Sequence, residues 1–371
     1  MILSQQILPS DLRESKMITK IIKVTPDALD KSKNEIKAAA EIIKQGGLVA
    51  FPTETVYGLG GDGTNPDAAM KIYAAKGRPS DNPLIIHISS PADAEKYTYT
   101  NETYYRLADK FMPGPLTVVM RAKPSIPSQT RGGLDTVAVR CPSNPVARML
   151  IALSDCPIAA PSANLSGSPS PTDANHVIDD MQGRIEAIID GGSCEIGLES
   201  TIVKIEDDGS LILLRPGKIT VDELACVAPV SLADAVTDRL REGEVALSPG
   251  MKYRHYAPDA PLVLLDGGID DILSYIREEN KTKVAILCYT DDRDLIAKSI
   301  PTADIFVLGA RNNINEQAHH LFAILREADK HSYDKIYAPL PSREGVGLAL
   351  YNRMIRAAAH TVINLRQDKN G

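Results

Sequence analysis

The sequence predicts an α/β protein of two unequal units: a mixed sheet packed with helices, then a smaller α/β unit. Three observations predict this. The 371 residues fill two domains at roughly 100–200 residues each. Short apolar runs alternate with segments of helical periodicity, the mark of a sheet covered by helices. That pattern lapses over residues 230–260 and then restarts.

Taken in order, residues 33–45 place Ile36, Ala39, Ala40 and Ile43 on one helical face, and Gly46-Gly47 stop the helix. LVAFPT then reads as a buried strand. Residues 66–76 open with a proline at a helix start and run to Lys76. Strands follow at 84–88, 117–122 and 135–142, then a helix at 144–153 and a short strand at 157–162. Some successive strands can pair as hairpins. STIVKIED and GSLILLRPG read as one, turning at Asp207-Asp208-Gly209. The expected organisation is a first domain over 18–229, a linker over 230–260 containing SPGMKYRHYAP, and a second domain over 261–371. In the second, PLVLLDG, a helix near 269–280, KVAILCY, DIFVLG, a helix at 314–330, KIYAPLP and a helix at 346–360 give a Rossmann-like order.

Composition narrows the class. Hydrophobic residues are 43% and charged residues 24%, which are globular proportions. No run reaches the roughly 18 apolar residues of a spanning helix. The first residues carry no basic segment ahead of an apolar core, so no secretory leader is expected. Met1 and Met17 are both candidate starts. Tryptophan is absent and phenylalanine numbers 4, so the core must be largely aliphatic. Net charge is −7, with 27 Lys+Arg against 33 Asp+Glu up to residue 260 and 14 against 15 beyond it. Neither part is basic, which opposes stable nucleic-acid binding but allows a small cationic pocket. Cys141, Cys156, Cys194, Cys226 and Cys288 are odd in number and never within three residues of one another. They read as buried small residues in a reducing cytoplasm, not as a zinc ribbon or a disulfide frame.

Several segments can carry chemistry. Gly58, Gly60 and Gly63 fit a dinucleotide fingerprint, but Asp81 sits in a loop and Pro66 starts the helix too late for Gly63 to pack on it. His319-His320 lie on a helix without metal-ligand spacing and read as surface or partner-facing residues. The run PTETVYGLG joins hydroxyls, a carboxylate and glycines to a strand end, where α/β folds place ligands; a turn capped by its threonines is the plainer reading. Lys76 and Arg78 flank a glycine and can reach one phosphate chain, or can simply offset a helix dipole. Asn82 follows in a proline-fixed loop, and His87 sits on the next strand. Arg140 on an apolar strand needs an anionic partner, either an internal carboxylate or a ligand. PSANLSG, GLEST and LLRPG repeat the theme of small residues and hydroxyls after strands.

Together PTETVYGLG (52–60), KGRPSDNPLIIHI (76–88), TVAVRCP (136–142), PSANLSG (161–167), GLEST (197–201) and LLRPG (213–217) resemble the YrdC-like family of threonylcarbamoyl-AMP synthases. SPGMKYRHYAP with the second unit resembles that family's long form. The resemblance implies a YrdC-like twisted mixed sheet with a Rossmann-like C-terminal domain. It implies a nucleotidyltransferase that joins L-threonine, bicarbonate and ATP into threonylcarbamoyl-adenylate and pyrophosphate. The product would pass to downstream enzymes that modify tRNA beside the anticodon. It also implies site residues. Thr55, His87, Arg140, Ala160 and Ser200 would line the threonine site. Arg78, Asn82, Thr136, Ser162, Ser170, Arg215 and Tyr256 would contact ATP. Lys76, Arg78 and Arg140 would act in the reaction, Mg²⁺ would arrive on ATP, and no protein metal site is implied. Tyr256 from the linker would close the pocket against water. A hydrogenase-maturation carbamoyltransferase shares the module, but it carries paired-cysteine zinc motifs and an acylphosphatase-like domain that this chain lacks. The chain could also be a nucleic-acid-binding module or an inactive paralogue. The acidic totals oppose the first, and the intact Lys76, Arg78, Arg140 and Ser200 oppose the second.

Overall fold

A computed structural model of the protein describes residues 17–236, 256–279 and 283–366. In the first domain β1 (Lys20–Lys23), α1 (Lys33–Lys44), β2 (Val49–Phe51), β3 (Gly58–Asp62), α2 (Pro66–Lys76) and β4 (Ile85–His87) come first. Then follow α3 (Glu102–Phe111), β5 (Leu116–Arg121), β6 (Thr136–Arg140), α4 (Pro145–Ser154), β7 (Ile158–Ala159), α5 (Ala174–Met181) and β8 (Ala187–Asp190). β9 (Thr201–Ile205), β10 (Leu211–Arg215), α6 (Val221–Ala225) and β11 (Val230–Leu232) complete it. The second domain holds β12 (Leu262–Asp266), α7 (Ile269–Glu279), β13 (Val284–Tyr289), α8 (Arg293–Ser299) and β14 (Asp304–Gly309). It ends with α9 (Ile314–Ala328), β15 (Lys335–Pro339), α10 (Gly347–Ala357) and β16 (Val362–Asn364).

The two sheets match the expected class. The first is mixed, in the order β1-β8-β2-β3-β7-β4-β6-β5-β9-β10-β11. The second is β14-β13-β15-β12-β16, with every pairing parallel. Local signals explain several elements. α2 starts where the Asn65 side chain accepts from the amides of Asp67 and Ala68, with Pro66 in the first turn, and Gly77 ends it. β9 and β10 pair antiparallel around a turn at Gly209, as their sequence suggests.

Two expectations need correction. The PTETVYGLG run does not end in a turn: Gly58–Asp62 is strand β3, antiparallel to β2 and β7. Its glycines answer to crowding. A Cβ on Gly60 would lie 2.6 Å from Ile158 Cγ2 and 2.7 Å from the Phe51 ring. The segment 230–260 is not all linker either. β11 pairs in parallel with β10, so the first sheet reaches residue 232. Most of the SPGMKYRHYAP stretch, and Met1, lie outside the described residues.

Helices cover both faces of the first sheet. α1 and α4 bury Ile36, Ile43, Leu150 and Ile151 against Val49, Phe51 and Ile189. α2, α3 and α5 bury Ile72, Leu107 and Val177 on the other face. In the second domain α7 and α8 cover one face. α9 and α10 cover the other, and their cluster takes in Val56, Leu198 and Tyr256. That helical face therefore closes against the PTET and GLEST segments. The approach is close: a Cβ on Gly197 (φ 83°) would stand 2.5 Å from His319 Cα. His319 Nδ1 lies 2.9 Å from the Glu195 carbonyl, so the partner it faces is its own first domain. Arg326 of α9 pairs with Asp180 at 2.7 Å across the same contact. Among the described residues, no helix is long and apolar enough to cross a membrane.

Candidate active site

The cavity lies where the first sheet's loops meet the second domain. It spans about 680 Å³, part of it open to solvent. Lys76, Arg78, His87, Arg140, Ala160, Ser162, Arg215 and Tyr256 all border it. Residues spread over 180 positions thus converge on one wall.

The parallel register of β4 and β6 sets His87 beside Arg140. Both are 4% exposed. Arg140 Nη2 donates to Glu54 Oε1 at 2.7 Å, and Glu54 Oε2 accepts from the Ser143 amide at 3.2 Å. The internal carboxylate therefore exists, yet Arg140 is not used up: its buried Nε has no hydrogen-bond partner among the described residues. His87 Nδ1 lies 3.3 Å from the Ile158 carbonyl. Burial, and then the neighbouring Arg140 charge, push its pKa down to about 3, so the imidazole is neutral near pH 7.

The end of α2 supplies the second group. Lys76 is buried, and its Nζ donates to the Ser162 carbonyl at 2.6 Å and to the Asn164 carbonyl. Burial, with Arg78 nearby, holds its pKa well below the ordinary lysine value. In this arrangement Lys76 borders the cavity and also fastens the PSAN loop. Arg78 donates to the carbonyls of Asn82 and Pro83 at 3.3 and 3.2 Å, and so draws the KGRPSDNP arch together. The buried Asn82 Oδ1 has no partner among the described residues.

Arg215, at the end of β10, grips Ser200. Its Nε donates to the Ser200 carbonyl and its Nη2 to the Ser200 hydroxyl, both at 3.1 Å. Burial lowers its pKa to about 10. Tyr256 covers the cavity from the second domain's side. Its ring stacks 5.3 Å from Phe322, its φ is 65°, and the next amide, Ala257, donates to the Gly167 carbonyl at 3.1 Å. A non-glycine residue in the left-handed region is sparsely populated and needs such surroundings.

Other expected site residues stand apart from the wall. The Thr55 hydroxyl is 2.9 Å from that of Thr53, and Thr53 is the one that borders the cavity. Ser200 stands behind Arg215, and its hydroxyl also meets Thr117 at 2.8 Å. Ser170 donates to Glu199 Oε1 at 2.5 Å. Thr136 opens β6, four residues before Arg140, paired with Arg121 of β5, and does not border the main cavity. Sequence reasoning gives no role to Glu54, Glu199 or Arg353. The first two stand inside the PTETVYGLG and GLEST motifs. Arg353 is detectable only as a cation on the apolar stretch LALYNRMIRA.

A family model described as telomere recombination matches residues 41–217, and one described as the threonylcarbamoyl-AMP synthase C-terminal domain matches 219–359. A threonylcarbamoyl-AMP synthase of Pyrococcus abyssi is 42% identical over 89% of this chain and 96% of its own. One of Bacillus subtilis is 43% identical over 91% and 96%. The crystal structure of P. abyssi Sua5 complexed with L-threonine superposes with a TM-score of 0.83 at 40% identity, covering 94% of this chain and 99% of that one. By sequence along both domains and by fold, the chain belongs to the threonylcarbamoyl-AMP synthase family.

Proposed function

We infer that the protein makes L-threonylcarbamoyl-adenylate and pyrophosphate from L-threonine, bicarbonate and ATP. The observation that carries this is the charge of the wall. Lys76, Arg78, Arg140 and Arg215 border one small cavity, and Glu199 is the carboxylate among its described wall residues. Such a wall suits two anionic substrates, a triphosphate and an amino-acid carboxylate.

Arg140 Nε is free to donate to the threonine carboxylate while Glu54 fixes the guanidinium plane. Neutral His87 beside it offers a hydrogen bond without adding charge. Arg78, Arg215 and Ser162 take the nucleotide, with Asn82 on the arch and Thr136 at the start of β6, and Ser170 and Ser200 support that half from behind. Thr55 supports Thr53, and Ala160 leaves room for the threonine side chain. The threonine amine attacks the bicarbonate-derived carbon, giving a carbamate and water. A carbamate oxygen then attacks the α-phosphorus, and pyrophosphate leaves. No covalent enzyme intermediate is needed. Positioning of the reactants supplies about 7–11 kcal/mol, and the cations stabilise the charge on the phosphorus oxygens.

We read Mg²⁺ as part of a MgATP substrate. Both oxygens of Glu199 are taken, one by Ser170 and one by Arg353, and Glu54 is taken by Arg140 and Ser143. These carboxylates are not offered to a cation, so phosphate oxygens and water would hold it. We place the reaction in the cytoplasm, its product feeding N6-threonylcarbamoyladenosine formation by tRNA-modifying enzymes.

The test is pyrophosphate release from ATP. It should require both threonine and bicarbonate. Equal release with serine, or with no amino acid, overturns the reading.

A further inference from the structure

The second domain places a cation directly behind the pocket. Arg353 on α10 is fully buried. Its Nε donates to Glu199 Oε2 at 2.7 Å, and its Nη2 reaches the Glu199 carbonyl at 3.4 Å. Its Nη1 donates to Asn352 Oδ1 at 2.9 Å, and Asn352 Nδ2 is anchored on the Val236 carbonyl at 2.8 Å. The guanidinium also stands 5.7 Å from the centre of the Tyr256 ring. This is a rigid fork, held at both ends, aimed at one carboxylate of the catalytic domain.

What that carboxylate would otherwise do follows from its neighbours. Glu199 precedes Ser200, the residue that Arg215 grips. Arg215 is near enough for its charge to act on Glu199, alongside that of Arg353. Yet the hydrogen bonds of Arg215 go to neutral oxygens of Ser200, while Glu199 spends its oxygens on Arg353 and Ser170. A buried carboxylate with its partner removed seeks the nearest cation, because an unpaired charge in that environment is costly. Arg215, held on the adjacent Ser200, is the other cation whose charge acts on Glu199.

We propose that Arg353 is a positioning residue of the nucleotide site: by holding Glu199 it keeps that carboxylate from neutralising Arg215, whose charge then remains available to a triphosphate. This rests on the reading that the cavity binds ATP. It gives the second domain a defined part in the reaction, as the source of the counter-charge that sets the field in the nucleotide half of the pocket.

The experiment compares steady-state kinetics of the full chain carrying Arg353→Met, Arg353→Lys, and the double change Arg353→Met with Glu199→Gln. Arg353→Met should raise the KM for ATP by at least about tenfold while moving the KM for threonine by less than about threefold. Arg353→Lys should retain most of the ATP affinity. The double variant should recover ATP affinity relative to Arg353→Met, because the carboxylate that captures Arg215 is gone. A domain-tethering role alone would give no rescue. An unchanged ATP KM in folded Arg353→Met, or a double variant no better than the single, overturns the proposal. If Arg353→Met does not fold, the double variant decides: an ATP KM within about threefold of wild type supports the proposal, and one raised about tenfold or more overturns it. Wild-type protein without threonine-dependent pyrophosphate release would instead refute the functional reading beneath it.

Discussion

Arg140 and Glu54 form a buried ion pair at 2.7 Å that leaves the arginine's Nε without a partner among the described residues. One carboxylate thus orients the cation without consuming it. Arg140→Ala should raise the KM for threonine by about 100-fold, or ~2.7 kcal/mol. It should also lower stability by about 3–5 kcal/mol, because Glu54 is left charged and unpaired. Arg140→Ala with Glu54→Ala should recover much of the stability and none of the threonine affinity. Chemical denaturation and threonine titration of the same variants check both halves.

Arg78, just after α2, and Arg215, at the end of β10, both border the cavity. Arg78→Ala and Arg215→Ala should each raise the KM for ATP by about 10–100-fold, the loss of one charge-assisted contact. The threonine KM should move far less. An equal effect on both substrates would place these arginines in overall folding.

His87 ties stability to pH. Its folded pKa, about 3, lies below the ordinary 6.5. Between those values the unfolded chain holds a proton that the folded chain does not, so this group's contribution is full above pH 6.5 and is lost as pH falls toward 3. His87→Gln should flatten that acid-side loss by up to one proton. Melting temperatures of both proteins from pH 7 to pH 4 measure the slope difference. The same displacement means that His87 should produce no inflection in the rate profile near pH 6.5.

Tyr256 covers the cavity while resting on Phe322. Tyr256→Ala should raise the KM for ATP by about tenfold and admit water to the reacting centre. Hydrolysis of ATP without threonine should rise relative to wild type. Unchanged ATP affinity and unchanged background hydrolysis would remove the covering role.

Gly60→Ala is a stability prediction. The added methyl meets Ile158 and Phe51 at under 3 Å within a paired sheet. Overpacking of this kind costs about 1–3 kcal/mol. Urea unfolding should register that loss without a change in the threonine KM of the folded fraction.

Legibility followed the strength of local signals. The bounds of α2 are readable because an asparagine cap, a proline and a closing glycine mark both ends. β3 is not, because glycines signal turns unless one knows that Phe51 and Ile158 will crowd them. β1 and β8 are four residues each and owe their pairing to one another across more than 160 positions, so no window of sequence contains the cause. At the site, Arg140 is readable as a cation needing an anion, whereas its partner Glu54 is only one letter of a motif. The Arg353–Glu199 pair lies deeper still, since it joins two domains.

The stacking of Tyr256 on Phe322 has a spectroscopic consequence. The protein contains no tryptophan, so Phe322→Trp would introduce its sole indole at the seam between the domains. Excited beyond the absorption of the 13 tyrosines, emission would then arise from that contact alone. A change at that seam on addition of ATP would be read as a shift in emission wavelength.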